Sequence, residues 1–277
     1  MNAMGTTVER QLSSAVGESA SRRTFFGVCM LLFVVSSAVT IVWCGSMSAM
    51  DGMPMPGGWT MSMAWMRMPG QTWLDAAATF VGMWTVMMVA MMLPSLASML
   101  WRYRQAIGAA GEAHLGRLTA LAGAAYFLVW AALGMVAFAL GVALTTAEMR
   151  LSALAFGVPI ATGVVIVIVG ALQFSAWKSR QLACCRTVPG PGRTLPADAA
   201  TAWRHGLRLG LHCCYCCANL TAILLVIGVM DLRAMAVVAA AITLERLAPD
   251  GERAARALGI AMVGLGLLVP AREIGVG

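Results

Sequence analysis

Long apolar runs dominate the chain, separated by short polar stretches. Seven recur, over residues 25–43, 73–100, 118–146, 159–177, 207–230, 234–248 and 255–270. Most are near the roughly 20 residues that cross about 30 Å of hydrocarbon. No run keeps up the alternation of apolar and polar residues that a β-barrel strand needs. The pattern predicts an all-α, polytopic helical membrane protein with about seven transmembrane helices. The last two runs are short and suit a tight hairpin. Residues 1–24 are polar, with Ser, Gly and Thr, and read as a disordered N-terminal segment ahead of a single transmembrane domain over 25–270. A signal peptide is the competing reading. Against it, the polar lead is long, the apolar segment is near membrane length, and Cys44-Gly45-Ser46-Met47 is a poor cleavage site.

Composition agrees with this class, at 60% hydrophobic and 11% charged residues. The net charge of +7 gains meaning from where the basic residues lie. With the N-terminus inside, only Arg67, Arg150, Arg233 and Arg272 of the 19 Lys and Arg fall outside. That bias follows the positive-inside rule and predicts a multi-pass protein of the inner cell membrane. The charge is topogenic, in short loops beside helix ends, and predicts a lipid bilayer as partner and no nucleic acid.

Sulfur is where the chemistry concentrates. The segment 45–70 carries eight of the 22 methionines, together with Pro54, Pro56, Pro69 and several glycines that rule out a long helix. Thioether is a soft, neutral ligand suited to Cu(I), and the spacings Met53/Met55 and Met61/Met63 let a flexible outer loop close sulfurs on an ion. The competing reading is an interfacial loop in which these methionines sit beside Trp59, Trp65 and Trp73. In the second run, MWTVMMVAMMLPS, a 100° wheel gathers Met83, Met87, Met88, Met91 and Met92 into one stripe that ends at Pro94. Methionine also fills gaps in packed helices. The fifth run carries HCCYCC, where the wheel places His212, Cys213, Cys216 and Cys217 on one arc and turns Cys214 and Tyr215 elsewhere. Sulfurs at i, i+3 and i, i+4 are close enough to share a metal; small weakly polar cysteines also let helices pack closely.

Topology places both groups in the same layer, roughly 10–18 Å from the inner boundary at 1.5 Å per residue, so that the second and fifth runs can face each other. Gln173, Lys178, Cys184, Cys185 and Glu245 collect at the same end. Glu245 has two readings, a partner such as Lys178 or interfacial water, since an intramembrane carboxylate is costly alone.

The segments 83–95, 173–186 and 212–249 together resemble a family of predicted metal-binding integral membrane proteins of unknown function. Met87, Met88, Met91, Met92, Pro94 and Ser95 match its first motif. Gln173, Lys178, Cys185 and Arg186 match the second, and Cys213, Cys216, Cys217, Gly228, Met230 and Glu245 the third. Departures are Gln181 where a cysteine is expected, Cys184 displaced beside Cys185, and Tyr215 and Ala218 in place of glycine and tryptophan around Cys216-Cys217. The resemblance implies metal binding and names neither metal nor reaction.

Three functions compete on these residues. The first is Cu(I) uptake, buffering or delivery, through an outer Met loop and an intramembrane Met/Cys site, with zinc the weaker candidate metal. A copper chaperone or membrane enzyme is then the partner. The second is a membrane oxidoreductase using a Cys pair or metal centre, although no catalytic constellation is legible. The third is a structural or assembly subunit. The chain has no P-loop, so any transport is passive or exchange-driven.

Overall fold

The computed structural model describes residues 2–48, 52–55, 59–107, 112–187 and 194–274. Among them the chain forms eight α-helices and one short hairpin. In order these are α1 (Asn2–Ser48), β1 (Met53–Pro54), β2 (Thr60–Met61), α2 (Trp73–Ala106), α3 (Glu112–Arg150), α4 (Ser152–Leu172), α5 (Ala176–Thr187), α6 (Ala199–Ile227), α7 (Leu232–Leu247) and α8 (Gly251–Ile274). The all-α expectation is met.

Five helices are long and apolar enough to cross a membrane: 17–47 of α1, all of α2, 113–150 of α3, 153–172 of α4 and all of α6. Among the described residues these are two fewer than the seven expected. At 16 residues, α7 rises only about 24 Å, and it carries Glu245 and Arg246 near its end. Helix α8 has Glu252, Arg253 and Arg256 in its first two turns and is not among the five over its described residues. At the other end of the chain, residues 2–24, expected without regular structure, continue α1. Once the apolar part of α1 has nucleated, each added residue costs little, so a polar sequence free of proline propagates the helix. Between the fourth and fifth apolar runs the chain forms a further helix, α5.

Glycine sets the closest helix contacts. On α6, Gly206 and Gly210 face α3: a Cβ on Gly206 would strike the Ala122 carbonyl, and one on Gly210 would come within 3.0 Å of the Tyr126 carbonyl and of Val129. Small residues four apart let two backbones approach, the device by which helices associate where solvent supplies no hydrophobic drive. Helix α8 lies along α4 in the same way, with Gly259 and Gly266 against the backbone at Gly170 and Gly163. Outward faces stay apolar and exposed, as at Leu31 and Val42 on α1, Phe156 and Ile160 on α4, and Ile260 on α8.

The start of α6 is fixed by Asp198. Its Oδ1 accepts from the Thr201 backbone N–H at 2.8 Å and its Oδ2 from the Thr201 hydroxyl at 2.7 Å. These bonds, the backbone one foremost, hold the Asp198 carboxyl below the ordinary carboxylate range. A lowered value means that the cap is in place above that range and is lost as pH falls through the lowered value. Asp198→Ala is expected to fray the first turn of α6, seen as faster amide exchange at Thr201; unchanged exchange there refutes the capping role.

Candidate metal centre

Helix α6 is built to bury one cysteine face. Cys213, Cys216 and Cys217 are buried, Cys214 is half-buried, and Tyr215 is 55% exposed. The division matches the 3.6-residue period read from HCCYCC. Against this face α2 presents its methionines, all buried: Met83, Met87, Met88, Met91 and Met92. The two helices meet through sulfur. Cys213 Sγ lies 4.0 Å from Met92 Sδ and 3.9 Å from Cys217 Sγ. A third helix contributes Tyr126, whose hydroxyl donates to Cys213 Sγ at 2.8 Å. Among the described residues no group of three His, Cys, Asp or Glu side chains is placed to hold an ion. The convergence is two thiols and one thioether.

Polar groups fix the frame around these sulfurs. Lys178, from α5, pairs with Glu245, from α7, at 2.8 Å, and both side chains are 1% exposed. Lys178 Nζ also donates to the Cys216 carbonyl at 2.8 Å, and Gln173 Nε2 donates to Glu245 Oε1 at 2.8 Å. Of the two readings of Glu245, the paired one is therefore realised. The ion pair is neutral as a whole, so it braces α6 without giving the thiols a net counter-charge. On α2, Ser95 donates to the Met92 carbonyl at 3.0 Å and accepts from Arg246 Nη1 at 2.9 Å. Arg246 thereby ties the turn at Pro94 to α7. Helix α2 runs on through Pro94.

Several expected site residues sit elsewhere. Met91 lines a groove with Phe33 of α1 and Ala239 and Thr243 of α7, on another side of α2 from Cys213. A stripe some 180° wide, as read on the wheel, has too much arc to serve one centre. Met87 and Met88, members of the same stripe, are buried in the core. His212 is half-buried and turns to α5, with Nδ1 3.8 Å from Cys184 Sγ. The side chains of Cys185 and Met63 lie outside the described residues. In the segment 45–70, Met53 is opposite Met61 across the β1–β2 hairpin. Met61 is 2% exposed and Met53 38%; Met55 is half-buried.

Tyr126, the hydrogen-bond partner of Cys213, was not foreseen from the sequence. The available signal was a hydroxyl in the middle of an otherwise apolar run, in a chain with three tyrosines, since a buried Tyr O–H normally has a partner.

Among known proteins, the family model described as PpoB2, copper chaperone, matches residues 81–269. The matched span holds Met92, Tyr126, Lys178, the α6 cysteines and Glu245. No curated protein and no solved structure matches the chain.

Proposed function

This chain belongs to the PpoB2 copper-chaperone family, and from that premise we propose that it binds Cu(I) between α2 and α6, on Cys213, Cys217 and Met92, for buffering or delivery inside the bilayer. The observation that carries the reading is the approach of three sulfurs from two helices, 3.9 and 4.0 Å apart, in a fully buried position. Thiolate and thioether ligands select Cu(I) among the common metals. A structural zinc site takes four nitrogen or sulfur ligands in a tetrahedron, and His212 points toward Cys184 instead of joining the thiols.

Binding requires deprotonation, because the thiolate is the ligand. A bare thiolate in apolar surroundings is costly. Cu(I) neutralises one such charge, and the Tyr126 hydroxyl supplies a charge-assisted hydrogen bond to Cys213. Cys216 completes the sulfur face at the next turn, with its carbonyl held by Lys178. His212 adjoins Cys213 in sequence and meets Cys184 on α5, and this pair provides further donors on the way out. Met87 and Met88 keep the buried side of α2 thioether-rich. The recipient is a copper chaperone or a membrane enzyme. Copper is cargo in this scheme, and the chain's own part is to bind, desolvate and release it.

The test is a Cu(I) titration of the anaerobically purified protein against a chromogenic Cu(I) chelator, with X-ray absorption to identify the ligand atoms. The wild type is expected to hold copper in a sulfur-only shell. Cys213→Ser/Cys217→Ser should lose it, with unchanged helicity and elution volume. Equal copper retention by wild type and variant refutes the assignment.

A further inference from the structure

The end of the bundle where α1 finishes carries sulfur that the α2–α6 centre does not use. A cavity of about 930 Å³ opens there. Its walls come from the last turns of α1, α3 and α6 and the first turns of α4 and α7, and residues 59–65 roof it. Two tryptophans pin the roof. Trp59 Nε1–H donates to the Ala155 carbonyl at 2.9 Å, and the Trp65 ring lies on Gly141, where any Cβ would collide with it. Pinning explains why Met61, in a Gly- and Pro-rich segment, is 2% exposed; with Met47 and Met230 it lines the cavity.

Met230 is placed by the turn after α6. Gly228 takes a φ of +136°, a region side chains strongly disfavour, and this reverses the chain so that Met230 meets α1. Cys44 Sγ then lies 4.0 Å from Met230 Sδ, and Cys44 is 1% exposed. A thiol and a thioether in contact, beside a roomy cavity with two more thioethers in its wall, repeat the donor chemistry of the α2–α6 centre. The two places are distinct, since Cys213 and Ile227 are separated by about 20 Å of helix rise. Glu148, Asp231 and Arg233 also line the cavity. The Asp231 carboxylate is engaged in capping α7, accepting from Arg233 N–H at 2.8 Å and Ala234 N–H at 3.0 Å. The selectivity for a soft cation comes from the sulfurs.

We infer that Cys44 and Met230 form a second Cu(I) site, completed by Met61 and Met47 from the cavity wall, which captures copper before it reaches the α2–α6 centre. The site rests on the Cu(I) reading above and uses none of its ligands. Capture at this end draws on the pinned Met61 together with Cys44 and Met230, and Met53 takes no part in it.

Copper stoichiometry tests this on the full-length protein, purified anaerobically and titrated with Cu(I) against the same chelator. Cys44→Ala/Met230→Leu should bind one equivalent fewer than wild type and keep the equivalent that Cys213→Ser/Cys217→Ser removes. Wild-type stoichiometry in Cys44→Ala/Met230→Leu overturns the second site and leaves the α2–α6 centre standing. Full retention in Cys213→Ser/Cys217→Ser overturns the α2–α6 centre alone, and a wild type without copper overturns both. A measurement on the unsubstituted chain covers the case in which the variant does not fold. Ag(I), a Cu(I) analogue, should slow alkylation of Cys44 by a small membrane-permeant reagent, read by mass spectrometry. Equal alkylation with and without Ag(I) overturns the site.

Discussion

Glu245→Leu is expected to destabilise the bundle by about 3–5 kcal/mol, the cost of leaving one member of a buried ion pair alone. Lys178 and Glu245 are each 1% exposed and 2.8 Å apart, so without the carboxylate the ammonium is stranded in a place that water does not reach. Gln173 loses its acceptor at the same time. The measurement is unfolding in mild detergent, by heat or by titrated denaturing detergent. The double variant Lys178→Met/Glu245→Leu separates pair energy from packing. Replacing a buried pair by apolar side chains of similar volume is often neutral or stabilising, so the double variant should recover most of the loss. Stability of Glu245→Leu equal to wild type, or a double variant as unstable as the single one, removes the ion pair as a structural element. The pair also reaches the proposed Cu(I) centre, because Lys178 Nζ holds the Cys216 carbonyl. In the recovered double variant that brace is gone while the three sulfur ligands remain, and Cu(I) affinity should fall without loss of stoichiometry.

Gly206→Val is the second large effect. A Cβ at Gly206 would strike the Ala122 carbonyl, and backbone cannot move aside as a flexible side chain can. Forcing extra carbons into a close-packed contact costs about 1–3 kcal/mol. Here the strain must be relieved by separating α3 from α6. That separation pulls Tyr126 away from Cys213, now 2.8 Å apart, so stability and Cu(I) affinity should fall together. Glycine at Gly82, where a Cβ meets nothing within 4 Å, supplies the control: Gly82→Val should cost far less. Comparable losses in both variants would mean that the α3–α6 approach has no special importance.

Much of the centre was legible because helical period is a local property. The spacing of Cys213, Cys216 and Cys217 places them on one face whatever lies opposite, and the structure buries that face while exposing Tyr215. The same reasoning put the five methionines of α2 on a buried stripe, and they are buried. It failed where a face had to be matched with a neighbour. Met91 and Met92 are adjacent in sequence, yet one lines the groove toward α1 and α7 and the other meets Cys213. His212 shares the cysteine arc but meets Cys184, because the helix that carries Cys184 was not foreseen. A polar, short stretch such as 176–187 has no apolar period to announce it.

Length and composition by themselves determined a helical chain with runs able to cross a membrane, sulfur-rich faces on two of them, and a methionine-rich segment between the first two. These follow from properties that each stretch carries alone: hydropathy, period and residue type. Only the tertiary structure decided that Met92, Cys213 and Cys217 converge, that Tyr126 serves Cys213, that Lys178 takes Glu245, and that Cys44 meets Met230 across 186 positions of chain. Those pairings depend on the depth and angle at which helices cross. Crossing is set by where Gly206, Gly210, Gly170 and Gly259 let backbones touch, and a steric fit between two surfaces cannot be read from either one.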